Sequence, residues 1–145
     1  MKIDLLSWQA YALLSAFFAA LTAIFAKVGV EGVESDLATF LRTIVVICAL
    51  GALLAATGRL QSPGPLSPKT IAFLVLSGLA TGASWLCYFR ALKLGEAARV
   101  APIDKLSVVL VAVFGAVFLG EKLSPPNWLG VCLIGAGAVL VAYKG

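Results

Sequence analysis

The chain has no histidine, a single methionine and three cysteines, and only 12% of its 145 residues are charged, against 61% apolar. A soluble domain averages about 25% charged and roughly 45–50% apolar. Small soluble folds keep much of their surface in water, so a chain this short and this apolar is a membrane protein. The lack of histidine removes the commonest general base and metal ligand. Cys48, Cys87 and Cys132 stand singly in apolar segments without Cys-x-x-Cys spacing. They are read as buried thiols acting as small apolar side chains, not as a metal or redox centre. No nucleophile with a base, phosphate-cradling glycine loop or paired carboxylates occur either. Neither catalysis nor a cofactor or metal is expected. The isoelectric point is near 9.2, yet the eleven basic residues are scattered between apolar runs. They form no basic stripe, so no nucleic-acid partner is expected.

What is present is a set of long apolar runs. A hydrocarbon core of about 30 Å needs about 20 apolar helical residues, and five runs meet that length. They lie at about 5–27, 37–57, 70–90, 98–119 and 126–143. The first is too long for a signal-peptide apolar region and has only Lys2 before it, so it reads as a retained helix. Strands are excluded by the lack of alternation and by the need to satisfy every backbone group in lipid. The expected fold is all-α, one five-span domain over residues 1–145.

Local chemistry marks the boundaries. Ser35 and Asp36 precede the second run, where a side-chain oxygen can cap first-turn amides. Ser67-Pro68 and Ser124-Pro125 place a capping residue before a proline at the first helical position. Pro63, Gly64 and Pro65 make the connection from Gly58 to Ser67 a stiff loop.

Orientation follows lysine and arginine in short loops. With the intrahelical Arg42 and Lys105 set aside, one side holds four cations (Lys2, Arg59, Lys69, Lys122). The other holds five (Lys27, Arg90, Lys93, Arg99, Lys144). So near a tie leaves two readings: a topology fixed by other details, or dual topology with an inverted homodimer.

Charges within a span cost several kcal/mol (about 2.5–3.5 by insertion scales) and face a cavity or a partner. Lys27 ends its run and can snorkel. Arg42 sits about two turns inside the second run, near Ser35, Thr39 and Thr43. Asp104 and Lys105 are neighbours and on a regular helix point about 100° apart, so each is expected to find its partner elsewhere. Pro102 either frees a carbonyl near Ala98 and interrupts the helix, as in transporter binding sites, or lies harmlessly in the first turn. Asp104, Ser107, Val111, Phe114, Phe118 and Glu121 share one helical face, which is read as looking into the bundle. Trp85, Tyr88 and Phe89 cluster on the third run. Trp8, Trp128 and Tyr143 suit an interfacial belt, whereas the deeper Trp85 fits a belt or a substrate-stacking surface. Gly78 with Gly82, and Gly130, Ile134 and Gly137, make thin faces suited to close packing.

From Tyr88 onward the pattern resembles the EamA-type domain of the drug/metabolite transporter superfamily. The residues that carry the resemblance are Tyr88-Phe89-Arg90-Ala91-Leu92, Gly95-Glu96-Ala97, Val100-Ala101-Pro102, Gly120-Glu121-Lys122-Leu123 and Trp128-Leu129-Gly130. Ala38-Thr39-Phe40-Leu41-Arg42 matches that domain's second-helix arginine, and Ser15 to Lys27 resembles its first helix. Most members carry two such domains as inverted repeats around a cavity. This chain carries one, like the short five-helix bacterial and archaeal branch, and resembles half a transporter. The resemblance implies a cavity role for Arg42, Trp85, Tyr88 and the Pro102 region, and a packing or end-cap role for Glu121. Two departures stand out. The family's second proline in helix four is replaced by Leu106-Ser107-Val108. The intramembrane glutamate of the related small multidrug exporters is missing from the first run.

The expected function is transport of a small organic metabolite or drug-like solute by alternating access, as an antiparallel homodimer in a bacterial or archaeal cell membrane. Arg42 attracts an anionic or zwitterionic group, Trp85 and Tyr88 supply stacking surface, and Pro102, Asp104, Lys105 and Ser107 line the site. Asp104 is the one candidate for proton coupling. The competing readings are a non-transporting helical subunit of a larger membrane complex and a lipid or glycolipid flippase. The expected partners are a second copy, membrane lipid and the small-molecule substrate.

Overall fold

The computed structural model describes residues 7–59, 64 and 66–143, and all regular structure among them is helical. The helices are α1 (Trp8–Val30), α2 (Ser35–Ala56), α3 (Pro68–Leu94), α4 (Ala97–Asp104), α5 (Ser107–Phe118) and α6 (Pro125–Ala142). With α4 and α5 taken together as Ala97–Phe118, five stretches are long and apolar enough to cross a membrane. The expected all-α architecture with five spans is therefore what the chain adopts. Residues 60–63 and 65, which include Pro63 and Pro65 of the expected stiff loop, lie outside the described residues, as do Lys2 and Lys144.

Three helices run past the charges that were expected to end or open them. α1 continues through Lys27 to Val30, and α3 through Arg90 and Lys93 to Leu94. Lysine and arginine are good helix formers, and their stems can lie along apolar surface while the heads reach polar groups. α2 opens at Ser35 itself, after Glu34, with no side-chain cap. Ser35 and Asp36 are thus first-turn residues, not caps. Ser67 does cap α3, its Oγ accepting the Thr70 amide at 3.1 Å. α6 starts at Pro125 after Ser124, again without a side-chain cap.

The chain divides into two compact units, Ala26–Lys93 and Met1–Phe25 with Leu94–Gly145. In Ala26–Lys93 the buried side chains crowd one end, where α1 finishes, α2 begins and α3 finishes. Val30 and Leu92 are fully buried, and Phe89, Ala26, Ser35 and Thr39 are nearly so. The long cations tie this end together. Lys27 Nζ donates to Leu92 O at 2.8 Å, Lys93 Nζ to Val33 O at 3.0 Å, and Arg90 meets Asp36 at 2.7 Å. Asp36 also lies in the first turn of α2, where negative charge complements the helix dipole.

In the other unit α6 packs against both α4 and α5. A Cβ at Gly135 of α6 would lie 3.3 Å from Val109 of α5, so the absence of a side chain there sets how closely the two can approach. Gly115 and Ala138 are the buried residues of α5 and α6. The face through Val111, Phe114 and Phe118, expected to look inward, is exposed in the chain. α5 instead turns its thin side, through Gly115 and the half-buried Val109, Ala112 and Ala116, toward protein. Small residues let helices approach, and without a hydrophobic drive between helices in lipid the bulky ones need not point inward.

Two further expectations are corrected. Cys48, Cys87 and Cys132 are exposed, not buried, because in a membrane chain the apolar surroundings of a side chain need not be protein. A Cβ at Gly78, Gly82, Gly130 or Gly137 would meet nothing within 4 Å, so those thin faces are not packed within the chain. In the membrane-length helices most of the large apolar side chains face outward, from Phe17 and Phe18 to Leu140, with Val30, Phe89 and Leu92 the buried exceptions among the described residues.

Candidate functional site

α2 and α3 carry the first group of interest. Arg42, in the second turn of α2, extends its guanidinium over the ring of Trp85, its carbon 4.2 Å from the centroid. The Phe89 ring lies 5.4 Å away. Trp85 and Phe89 are four residues apart on α3, so they form one stripe and flank the same cation. Such contacts are worth about 0.5–1 kcal/mol in water and about 2 or more when desolvated. Arg42, Trp85 and Tyr88 are half-buried, while Phe89 is buried.

Ser35, Thr39 and Thr43, expected near Arg42, use their hydroxyls otherwise. Thr39 Oγ1 donates to Ser35 O and Thr43 Oγ1 to Thr39 O, each at 2.8 Å. Ser35 Oγ donates to Asp36 Oδ1 at 3.2 Å. Among the described residues no carboxylate pairs with Arg42. The ion pairs present are Arg90–Asp36, Lys93–Glu34, Arg99–Glu96 and Lys105–Asp104.

The second group lies where the fourth span is broken. Pro102 is an interior residue of α4, not a first-turn one, which excludes the harmless first-turn placement. Lacking an N–H, it cannot bond the carbonyl four residues back, and its ring crowds that carbonyl. The regular pattern gives way just beyond it. Leu106 N bonds Ile103 O, Val108 N bonds Lys105 O and Val109 N bonds Leu106 O, each at 3.0 Å and each three residues apart. Lys105 and Leu106 keep right-handed dihedrals (φ −72°, ψ −5° and φ −59°, ψ −19°). The break is therefore a tight 3₁₀-type joint and not an unwound stretch.

At this joint Lys105 Nζ lies 3.0 Å from Asp104 Oδ2. The two neighbours were expected to point apart and to find separate partners. They pair with each other because the regular helix ends at Asp104, which frees the long lysine stem to fold back. Asp104 is half-buried, while Lys105 and Ser107 are exposed.

The structure thus brings Arg42, Trp85 and Phe89 together, and Pro102, Asp104 and Lys105 together, each group within its own unit. Phe89 was missed as an Arg42 partner, although its spacing from Trp85 carried the signal.

Glu121 takes the packing position expected of it. Its amide donates to Gly115 O at 3.0 Å, and its carboxylate rests where a side chain at Gly115 would otherwise lie.

Comparison with known proteins agrees with these features. A protein of Sinorhizobium sp. described as an uncharacterized transporter in the cobO 3′ region is 65% identical over 136 residues, covering 94% of this chain and 96% of its own length. No solved structure matches. The EamA-like transporter family matches residues 6–143, and with five apolar membrane-length stretches behind that match, the chain belongs to the EamA-like transporter family.

Proposed function

We propose that this membrane transporter moves a small organic solute by alternating access, working as an antiparallel homodimer in the bacterial cell membrane. The observation that carries the reading is the broken fourth span. A proline-induced joint inside a membrane-length stretch, bearing the Asp104–Lys105 pair, is costly in lipid unless it faces water or substrate. Fully unwound helix breaks form binding sites in transporters, and the hydrogen-bonded joint here is a milder interruption at a comparable place in a span. Asp104 balances charge or takes up a proton, Lys105 is its tethered counter-cation, and Pro102 and Ser107 shape the joint. Arg42, Trp85 and Tyr88 form the solute-facing surface of the other unit.

The dimer reading is supported by the four-to-five split of flanking cations, which barely specifies one orientation. The outward-facing glycines of α3 and α6, which meet nothing within the chain, also suit a second helix packing on them. Solute flux into proteoliposomes, compared for the native chain, Asp104→Asn and Arg42→Ala, tests the roles. Undiminished flux in both variants removes these residues from the mechanism. C-terminal reporter fusions active on both sides of the membrane are expected, and a strictly one-sided result overturns the inverted dimer.

A further inference from the structure

We infer that Arg42 is a binding site for a carboxylate, so that the transported solute is a carboxylate-bearing anion or zwitterion, an inference that rests on the transport reading above. Arg42 lies about 10 Å along α2 from its first residue at 1.5 Å per residue, within a stretch apolar enough to cross a membrane. A cation at that depth needs compensation. The rings of Trp85 and Phe89 attract its charge, but they offer no lone pair in the plane of its N–H groups. Tyr88 also interacts electrostatically with the guanidinium, but among the described residues no carboxylate pairs with it, and the nearby threonine hydroxyls give their protons to backbone carbonyls.

Five other charges of the same unit have partners. Asp36 holds Arg90, Glu34 sits 4.0 Å from Lys93, and Lys93 and Lys27 donate to the carbonyls of Val33 and Leu92. Arg42 is thus a half-exposed cation with a rigid aromatic backing and five N–H donors in a planar fork. That fork matches the two oxygens of a carboxylate. The charge also matches one to one, whereas a phosphate near a second negative charge would need another cation, and the neighbouring ones are occupied.

Benzoate and its neutral isostere benzamide are suitable probes. In a Trp8→Phe/Trp128→Phe chain, Trp85 is the remaining tryptophan of three and reports on the guanidinium it contacts. In detergent, millimolar benzoate is expected to change Trp85 emission saturably, with benzamide at least tenfold weaker. The benzoate response disappears in Arg42→Gln and weakens several-fold in Arg42→Lys, which keeps the charge but loses the fork. Circular dichroism checks that each variant remains helical. An equal response to benzamide, or a benzoate response that survives Arg42→Gln, overturns the site. Flux of a solute in the Arg42→Gln chain at the native rate also overturns it while leaving transport standing. Benzoate binding without flux of any carboxylate in proteoliposomes overturns the transport reading instead.

Discussion

The carboxylate of Glu121 occupies the space that a side chain at Gly115 would need: a Cβ built there lies 2.6 Å from Glu121 Oε2 and 3.3 Å from Glu121 Cδ. The Glu121 amide meanwhile donates to Gly115 O, so the segment after α5 folds back over its last turn. Gly120 makes that reversal with φ +69°, a conformation that costs a residue with a Cβ about 1–2 kcal/mol. Gly120→Ala is expected to lower stability by about 1 kcal/mol. Gly115→Ala is expected to be nearly neutral, because the exposed end of Glu121 can swing away and alanine regains up to about 1 kcal/mol of helix propensity. Gly115→Leu is expected to cost about 1–3 kcal/mol through overpacking, in part recovered by adding Glu121→Ala. Thermal unfolding in detergent ranks the four variants.

Pro102→Ala restores a donor within α4 and removes the ring that crowds the preceding turn. A proline inside a helix is unfavourable by about 3 kcal/mol, so the variant is expected to melt higher. Its solute flux is expected to fall, the usual exchange of activity for stability where a strained element is used. Parallel melting and flux measurements check the two signs, and a variant that gains in both would show the joint to be incidental.

The ties at the buried end of Ala26–Lys93 should differ in strength. Arg90 and Asp36 are largely exposed, and exposed pairs contribute at most about 1 kcal/mol. Arg90→Gln is expected to change stability little, and less still at high salt. Lys27 donates to a carbonyl in the last turn of α3 from a partly buried position, and a hydrogen bond from a charged donor contributes about 1.5–3 kcal/mol. Lys27→Met is therefore expected to be the more damaging change. Melting temperatures at low and high salt separate the two.

The thiols of Cys48, Cys87 and Cys132 are exposed on membrane-length helices, and substitutions away from packed features usually stay within about 0.5 kcal/mol. Replacing all three by alanine is expected to preserve both the melt and the flux. A charged reagent enters hydrocarbon only at a high desolvation cost. A charged thiol reagent is therefore expected to label the native chain in membranes far more slowly than the detergent-denatured chain.

Much of the fold was legible because hydropathy is a strong signal in a chain with so few charges. The five spans needed only length and composition. Their ends were less legible, since Lys27, Arg90 and Lys93 look like boundaries in a linear reading yet sit inside helices, their heads returning to carbonyls and carboxylates. The inward face of α5 was misassigned because bulky residues mark a core only when water is the alternative. Asp104 and Lys105 were placed by the angles of a continuous helix, and Pro102 makes it discontinuous. The contact of Arg42 with Trp85 joins residues on different helices, and no local spacing could announce it. Its family resemblance did point to both residues.

The crowding of buried side chains at one end of Ala26–Lys93 has a mechanical consequence. With Val30, Phe89 and Leu92 packed there and Lys27, Arg90 and Lys93 tying it together, that end is the better anchored one, so a tilt of α2 would pivot there. α2, with 22 residues, then makes a lever arm of about 33 Å. A tilt of about 10° around the pivot displaces its far tip by about 6 Å at that length, while Arg42, close to the pivot, moves by under about 2 Å. Such a tilt would leave the cation and its aromatic backing nearly in place while the distant tip of the helix moved several times as far.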